Sequence, residues 1–328
     1  MKRLTFKKLW IFGLGLFFVF VTSGKLFAGD PIIGCPLGVE KGHIWLHSTT
    51  YYMSADKAYW NEDSTGIPKM TTMPANWYAK ILKSSYRTQL GITNRLSAGM
   101  LLTYWDKDIS KETWKEKPNG EWFKKHVSYH SFGFGDIWFY GLYKIVKRLP
   151  RIEAISVGTG YKLDAADNSL VVHGIGSGAK SYRFAILTHI NLIKRMSECS
   201  SIWYEYEGKV RYIEVKNDQG QMVEWDKSGW DLGDKYGYNL AIEYELSKHF
   251  KVIPKFIGWW KIEDKDKNGE IVKNTKFYEH SLGVSFQYFP IGTEYDHSKI
   301  IAGVKIPISS INSFSAAIVP MFMVMWTF

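Results

Sequence analysis

The sequence predicts an all-β protein, a transmembrane antiparallel β-barrel of about twelve strands that follows a cleaved signal peptide. Three observations predict this fold. First, polar and apolar residues alternate with a period of two, which is typical of strands with two different faces. Second, long polar connections alternate with short ones. Third, the chain ends on an aromatic residue, Phe328, in an apolar stretch whose alternate residues share one strand face.

The N-terminus has the form of a secretory signal peptide. Basic residues precede an apolar run over residues 9–22, which is shorter than the roughly 20 residues of a membrane-spanning helix. Cleavage is expected after Ala28, although Leu26 stands where a small residue is usual. An uncleaved membrane anchor is the alternative. The predicted units are a signal peptide over 1–28, a periplasmic N-terminal segment over 29–41 and the barrel over 42–328.

The chain contains only two cysteines, Cys35 and Cys199. Two sulfurs make neither a disulfide framework nor a tetrahedral zinc site. They either pair in the oxidising periplasm or remain thiols. Residues 32–35 also loosely fit a bacterial lipoprotein box, which leaves lipidation of Cys35 as an alternative. His43 and His47 would stand about 13 Å apart on one strand face, too far to bind one metal ion, so no metal and no cofactor is predicted.

Composition favours a membrane barrel over a nucleic-acid-binding protein. The formal charge is +10, but five of the 42 basic residues lie within residues 1–28, which leaves 37 against 32 acidic residues. This mild excess, without a dense basic cluster, predicts no nucleic-acid partner. Aromatic residues make up 16% of the chain, with 14 Trp and 20 Tyr, and these two types favour membrane–water interfaces.

The chain after the leader reads as twelve strands joined by connections of alternating length. Alternation is clearest over 203–212, 236–246 and 278–288, where aromatic or aliphatic residues oppose mostly charged or polar ones. The predicted strands cover residues 42–54, 79–92, 96–106, 130–146, 151–163, 179–193, 198–215, 232–247, 249–263, 274–289, 297–308 and 313–328. The long connections are 55–78, 107–129, 164–178, 216–231 and 264–273, and the short ones are 93–95, 147–150, 194–197 and 248. Outer-membrane barrels have long extracellular loops and short periplasmic turns.

Three prolines fall inside predicted strands, where each removes a ladder hydrogen bond. They are Pro254, Pro307 and Pro320. Bulges near the barrel rims would accommodate them, and a misplaced strand boundary is the other explanation. A periplasmic β-sandwich is the alternative fold, but it explains neither the terminal Phe328 nor the asymmetry of the connections.

Alternation also sends a set of charged side chains to the face opposite the apolar one. A Lys or Arg that faces lipid at the bilayer midplane costs roughly 2–4 kcal/mol, so we expect this set to line a hydrated lumen. Its members are Arg183, Glu205, Glu207, Lys209, Arg211, Glu243, Glu245, Lys251, Lys255 and Lys261. Lys209, Arg211 and Lys261 lie near predicted loops, and their alternative place is a strand extension beyond the membrane.

The last strand carries a second set of residues that share one face, namely Phe322, Val324, Trp326 and Phe328. This ending resembles the C-terminal signal of bacterial outer-membrane proteins, which the barrel assembly machinery reads. The resemblance implies residence in the bacterial outer membrane, with lipid and the assembly machinery as partners. A buried C-terminal core strand is the alternative.

Three glycine-containing segments follow one another near the middle of the chain. They are Gly-Phe-Gly-Asp at 133–136, a strand running into Gly158-Thr159-Gly160, and Gly-Ile-Gly-Ser-Gly at 174–178. This order resembles the transporter family named for the meta-pathway of phenol degradation, although that family's usual Pro-Thr-Gly is absent. The resemblance implies an outer-membrane channel for hydrophobic or aromatic compounds. Without the resemblance, glycines within strands indicate β-bulges or bends at barrel corners.

A barrel of twelve strands predicts a narrow or partly plugged lumen, so the interpretation is a passive channel for small-molecule solutes. Two alternatives stay open: a barrel enzyme such as a lipid hydrolase, and a structural or adhesive barrel without transport. His126 and Ser128 have the spacing of outer-membrane phospholipases, but the Asn-Gly that should follow is missing. Nucleophilic catalysis also needs a third group that orients the base, so no catalytic residue is assigned.

Overall fold

The computed structural model describes residues 36–328 except 56–57, 63–67, 73–76, 117–121, 148, 218, 274, 291–297, 312 and 315–317. The predicted signal peptide, its cleavage site and Cys35 therefore lie outside the described residues. In the described part of the chain, the five-residue Asn168–Val172 (α1) is the only helix. The described residues contain no helix that is long and apolar enough to cross a membrane.

Twelve antiparallel strands form one closed barrel, as the sequence predicts. In chain order they are Ile44–Ala55 (β1), Tyr78–Gly91 (β2), Leu96–Glu116 (β3), Trp122–Phe134 with Ile137–Lys147 (β4), Ile152–Leu163 (β5), Ala179–Ile193 (β6), Met196–Val210 (β7), Lys235–Ser247 (β8), Phe250–Lys261 (β9), Phe277–Tyr288 (β10), Lys299–Ile311 (β11) and Val319–Thr327 (β12). The two parts of β4 both pair with β3, on either side of a break at Gly135 and Asp136.

The barrel closes where its last strand pairs with its first. The ladder between β12 and β1 runs from Trp45 opposite Thr327 to Tyr51 opposite Met321. Beyond it, the backbones of Ile44 and Phe328 exchange two hydrogen bonds of 3.0 Å. Closure satisfies the backbone groups that an open sheet edge would expose, and it excludes the sandwich alternative.

The predicted boundaries are wrong mainly between β3 and β4. The residues predicted as a loop, 107–129, largely continue both strands, and the ladder extends to Glu116 opposite Trp122. In the sequence, charged and polar residues follow one another over most of this stretch, so the period-two alternation that predicts a strand is absent there.

The prolines divide into two cases. Pro307 lies at a register shift in the ladder between β10 and β11, where Ser281 pairs with Pro307 and His280 with Ser309. This bulge is the predicted accommodation. At Pro254 and Pro320 the register does not shift, and the β8–β9 ladder lacks the pairs of Ile253 and Pro254.

The two rims of the barrel differ. One rim, the loop end, carries α1, a three-stranded sheet and a hairpin; these extra strands are Ala58–Glu62, Pro68–Thr72, Ser313–Phe314, Glu214–Lys216 and Met222–Glu224. The opposite rim, the turn end, carries mostly short turns, the start of β1 and the C-terminus. The Asp167 carboxylate caps α1 by accepting the Ser169 N–H at 2.9 Å.

The barrel wall has an apolar outside and a mixed inside. On β6, Tyr182, Phe184 and Ile186 are exposed, whereas the intervening Arg183 and Ala185 are buried. Exposed large apolar residues recur on the outward face of most strands. An outward apolar band around a closed barrel is the arrangement of a transmembrane β-barrel.

Candidate functional site

The barrel interior contains a cavity of about 660 Å³, called the central cavity below. Side chains from all twelve strands line it. Gly174, Gly176 and Ser177, from the connection after α1, lie at its loop end. Its volume falls in the range of small-molecule sites, roughly 300–1,000 Å³.

A chain of alternating charges covers the inner wall formed by β5 to β8. Arg183 Nε donates to Glu205 at 2.9 Å, and Lys235 lies 3.3 Å from the same carboxylate. Lys235 also pairs with Glu207, whose two oxygens accept from Lys162 Nζ at 3.2 Å. Both carboxylates are almost completely buried. Burying a charged side chain is costly unless it has a partner of opposite charge. Here each of the five charged side chains has such a partner.

The charge chain continues into the connection after α1. Lys162 Nζ donates to Ser177 Oγ at 2.7 Å, and the Ser177 N–H and hydroxyl donate to Asp136 Oδ2 at 2.8 and 3.0 Å. Asp136 lies at the break in β4. The connection is thereby tied to the wall at the level of the cavity.

These contacts join two of the glycine segments seen in the sequence. Gly176 has a φ of +113°, and a Cβ there would lie 2.5 Å from Ala166 Cβ and 3.1 Å from Asp136 Oδ1. Only glycine combines this positive φ with the lack of room for a Cβ atom without moving its neighbours. The sequence predicts bends at these glycines. It does not predict the contact between segments 133–136 and 174–178, because the two segments are far apart along the chain.

The N-terminal segment enters the barrel. Ser156 on β5 donates its hydroxyl to the Pro36 carbonyl at 2.6 Å, while Val39 is fully buried against β12 residues on the opposite wall. Residues 36–40 therefore cross the lumen near the turn end. The described part of the predicted N-terminal segment 29–41 thus lies inside the barrel at its turn end, and its assignment to the periplasm stays a prediction.

A second wall of the lumen is apolar. Val39 packs in one buried cluster with residues of β1, β11 and β12, namely Trp45, Ile301, Met321, Met323 and Met325. No charge pattern marked this wall in the sequence, because both faces of β12 are apolar. Alternation detects a face only where the two faces differ.

Eight of the ten predicted charged residues lie on the interior face of their strands. Buried among these are Arg183, Glu205, Glu207, Glu243 and Lys255, and half-buried are Glu245, Lys251 and Lys261. Glu243 pairs with Lys251 at 3.5 Å near the turn end. Whether these eight border a conduction path stays a prediction.

Lys209 and Arg211 lie at the loop end of β7 rather than on the interior face. A register shift between Glu207 and Val210 turns Val210 inward and leaves Lys209 exposed. Arg211 lies beyond the end of β7 and pairs with Asp164 at 2.8 Å. Burial raises the pKa of this loop carboxyl, and the Arg211 charge opposes that shift.

The C-terminal set lies on the outer face of β12. Phe322, Trp326 and Phe328 are 52%, 50% and 71% exposed, and Val324 between them is half-buried. This face is therefore not part of a core, which excludes the buried-strand alternative. Its role as an assembly signal stays a prediction.

The two candidates for chemistry considered from the sequence are a His-Ser pair and a metal site. His126 and Ser128 are both exposed; Ser110 Oγ lies 3.1 Å from His126 Nε2, on the hairpin outside the lumen. Across the described ranges, no group of three His, Cys, Asp or Glu residues is placed to hold a metal ion. Cys199 is buried within β7, and Cys35, with which it would pair, lies outside the described residues.

Comparison with known proteins supports the fold through solved structures. No family model matches the chain, and no curated protein matches it. An outer membrane channel from Pseudomonas putida F1 is 11% identical with a TM-score of 0.63, over 92% of this chain and 100% of that one. The P. putida toluene transporter TodX is 9% identical with a TM-score of 0.48, over 94% and 96%. The first of these likenesses shows that the two chains share the barrel fold.

Proposed function

We propose that this protein is an outer-membrane channel for the passive diffusion of small molecules, including hydrophobic or aromatic compounds. The observation that carries the proposal is the central cavity, which lies inside a closed, lipid-facing barrel and combines charged, aromatic and apolar walls. The shared fold with an outer membrane channel supports it. The order of glycine segments further supports membership in the family named for the meta-pathway of phenol degradation.

Two elements bound the proposed path. The segment 174–178 lies at the loop end of the central cavity, and residues 36–40 cross the lumen at the turn end. A solute entering from outside would meet the first, occupy the cavity and leave past the second. We propose that residues 36–40 act as a partial plug and restrict the conductance.

The proposed location is the bacterial outer membrane, with lipid around the barrel. The outward aromatic residues of β12 support recognition by the barrel assembly machinery, because they remain accessible on the strand that closes the barrel.

Hydrolysis is not favoured, since His126 is exposed to solvent on the outer hairpin. Nucleophilic catalysis requires a base within hydrogen-bond reach of the nucleophile and a third group that orients the base.

Single-channel recording in planar bilayers tests the proposal. The purified protein is expected to give small, discrete conductance steps, and liposome swelling with a panel of solutes should show flux of small aromatic compounds. Deleting residues 36–40 should raise the conductance, because the crossing segment is then gone. Folded protein that gives neither conductance nor solute flux, with or without the deletion, would support a structural barrel instead.

A further inference from the structure

Basic side chains outnumber acidic ones on the wall of the central cavity. Six basic residues line it against three acidic residues. The basic set is Lys83, Arg87, Lys162, Arg183, Lys235 and Lys305, and the acidic set is Asp136, Glu205 and Glu279. Glu207, which pairs with Lys162 and Lys235, reduces the difference to two. The cavity therefore has a positive surplus.

One contributor to this surplus is Lys83 on β2. Glu205 and Glu279 already have basic partners on β6, β8 and β11, and Asp136 accepts two hydrogen bonds from Ser177. Lys83 projects from β2 into the same cavity. Within the described parts of the chain, no carboxylate lies within 4 Å of Lys83 Nζ, and the contact it makes is with the Trp105 ring at 4.5 Å.

Like charges converge on Lys83 from across the lumen. Lys305, Arg183 and Lys235 are close enough to repel it electrostatically. Those three side chains are compensated by Glu279, Glu205 and Glu207, whereas Lys83 is not. A cationic group in a confined space is stabilised by an anion beside it, so this position favours a negatively charged ligand.

Aromatic rings adjoin the basic groups on both sides of the cavity. The Trp105 ring lies 4.5 Å from both Lys83 Nζ and Lys107 Nζ, and the Arg183 guanidinium lies 4.0 Å from the Trp203 ring. A neutral hydrocarbon would contact the rings and leave Lys83 uncompensated. A small inorganic anion would compensate Lys83 and leave the aromatic walls unused.

We propose that the central cavity binds an aromatic carboxylate, with the ring against Trp105 and the carboxylate at Lys83. This inference rests on the proposed channel function and deepens it, because it names the class of solute that the lumen recognises. A cavity of about 660 Å³ has room for a ligand of one or two rings. The carboxylate would take the place of the protein anion that Lys83 lacks among the described residues.

Benzoate is the probe, with benzyl alcohol as the neutral ring and acetate as the anion without a ring. Quenching of tryptophan fluorescence in the detergent-solubilised protein measures binding, and block of single-channel current measures it in the lumen. Benzoate is expected to bind at least about tenfold more tightly than either analogue, since only benzoate makes both contacts. Lys83→Gln should lower benzoate affinity roughly tenfold, the effect of one charge-assisted contact, and leave benzyl alcohol unchanged.

Lys299→Gln is the matched control. Lys299 is also a basic residue of the lumen, but it lies near Phe289 at the turn end, away from the central cavity, and its replacement should leave benzoate binding unchanged. Equal binding of benzoate and benzyl alcohol by the parent protein would overturn the inference, even if the channel conducts. Benzoate binding without conductance would instead overturn the channel function and leave the binding site standing.

Discussion

The two inner walls of this barrel occupy the same lumen with opposite chemistry. On β5 to β8, buried charges are held by a continuous chain of ion pairs around Glu205 and Glu207. On β12, together with Trp45 of β1 and Ile301 of β11, the inner face carries a buried cluster rich in methionine. Ion pairs demand defined geometry, whereas methionine side chains are flexible and adapt to different shapes. We therefore expect the charged wall to depend on exact geometry and the methionine wall to tolerate changes of side-chain shape.

We expect substitutions in the charged wall to cause the largest loss of stability. Glu207→Ala removes the shared carboxylate of Lys162 and Lys235, which leaves the buried Lys162 without a carboxylate and Lys235 with Glu205 alone. We expect the free energy of unfolding to fall by roughly 3–5 kcal/mol, as for other buried pairs that lose one member. Urea unfolding of the refolded barrel in lipid vesicles measures this.

Glu224→Gln provides the control for that measurement. Its ion pair with Lys267 lies at the loop end, with the lysine mostly exposed, and exposed pairs contribute about 0–1 kcal/mol. An equal effect of the two substitutions would mean that the buried chain has no special role in stability.

The methionine wall should be less sensitive and more tolerant of shape. Met323→Ala removes a fully buried side chain, and we expect a loss of roughly 2–5 kcal/mol, whereas Met323→Leu should cost less than about 1.5 kcal/mol. The same unfolding assay compares them. If the leucine variant were as unstable as the alanine variant, the wall would be specifically packed rather than adaptable.

The two walls also explain which features could be predicted from sequence. Glu205 and Tyr204 were assigned opposite faces correctly because lipid selects apolar residues outside and the lumen tolerates charge inside. Met323 gave no such signal, since its neighbours on both faces are apolar. Lys209 was misplaced because the bulge that turns it outward depends on the pairing of β6 with β7, not on local sequence.

Two other features could not be predicted from the sequence for the same reason. The crossing of the lumen by Val39 depends on a cavity that only the closed barrel creates. The contact of Asp136 with Ser177 joins residues 41 positions apart. Strand number and face follow from local patterns, whereas contacts across the lumen depend on closure.

The role of the outer face of β12 can be tested separately from that of its methionine face. Deleting Phe328 removes an exposed ring and two backbone hydrogen bonds with Ile44, and leaves the methionines in place. We expect a severalfold lower fraction of folded, heat-modifiable protein on gels of outer membranes. Phe328→Tyr keeps the ring and the backbone and should assemble normally. Unchanged assembly after the deletion would argue against the signal.

The smallest expected effect concerns the turn end of the charged wall. Glu243 and Glu245 line a cavity there with Lys251, which pairs with Glu243 at 3.5 Å. Changing both carboxylates to Gln leaves Lys251 as an uncompensated positive charge, so the lumen should become more selective for anions. The reversal potential under a salt gradient should move in that direction, more at low salt than at high salt because screening weakens fixed charges. Glu224→Gln, outside the lumen, should leave it unchanged. A folded double variant with the reversal potential of the parent would show that these carboxylates do not border the path of the ions.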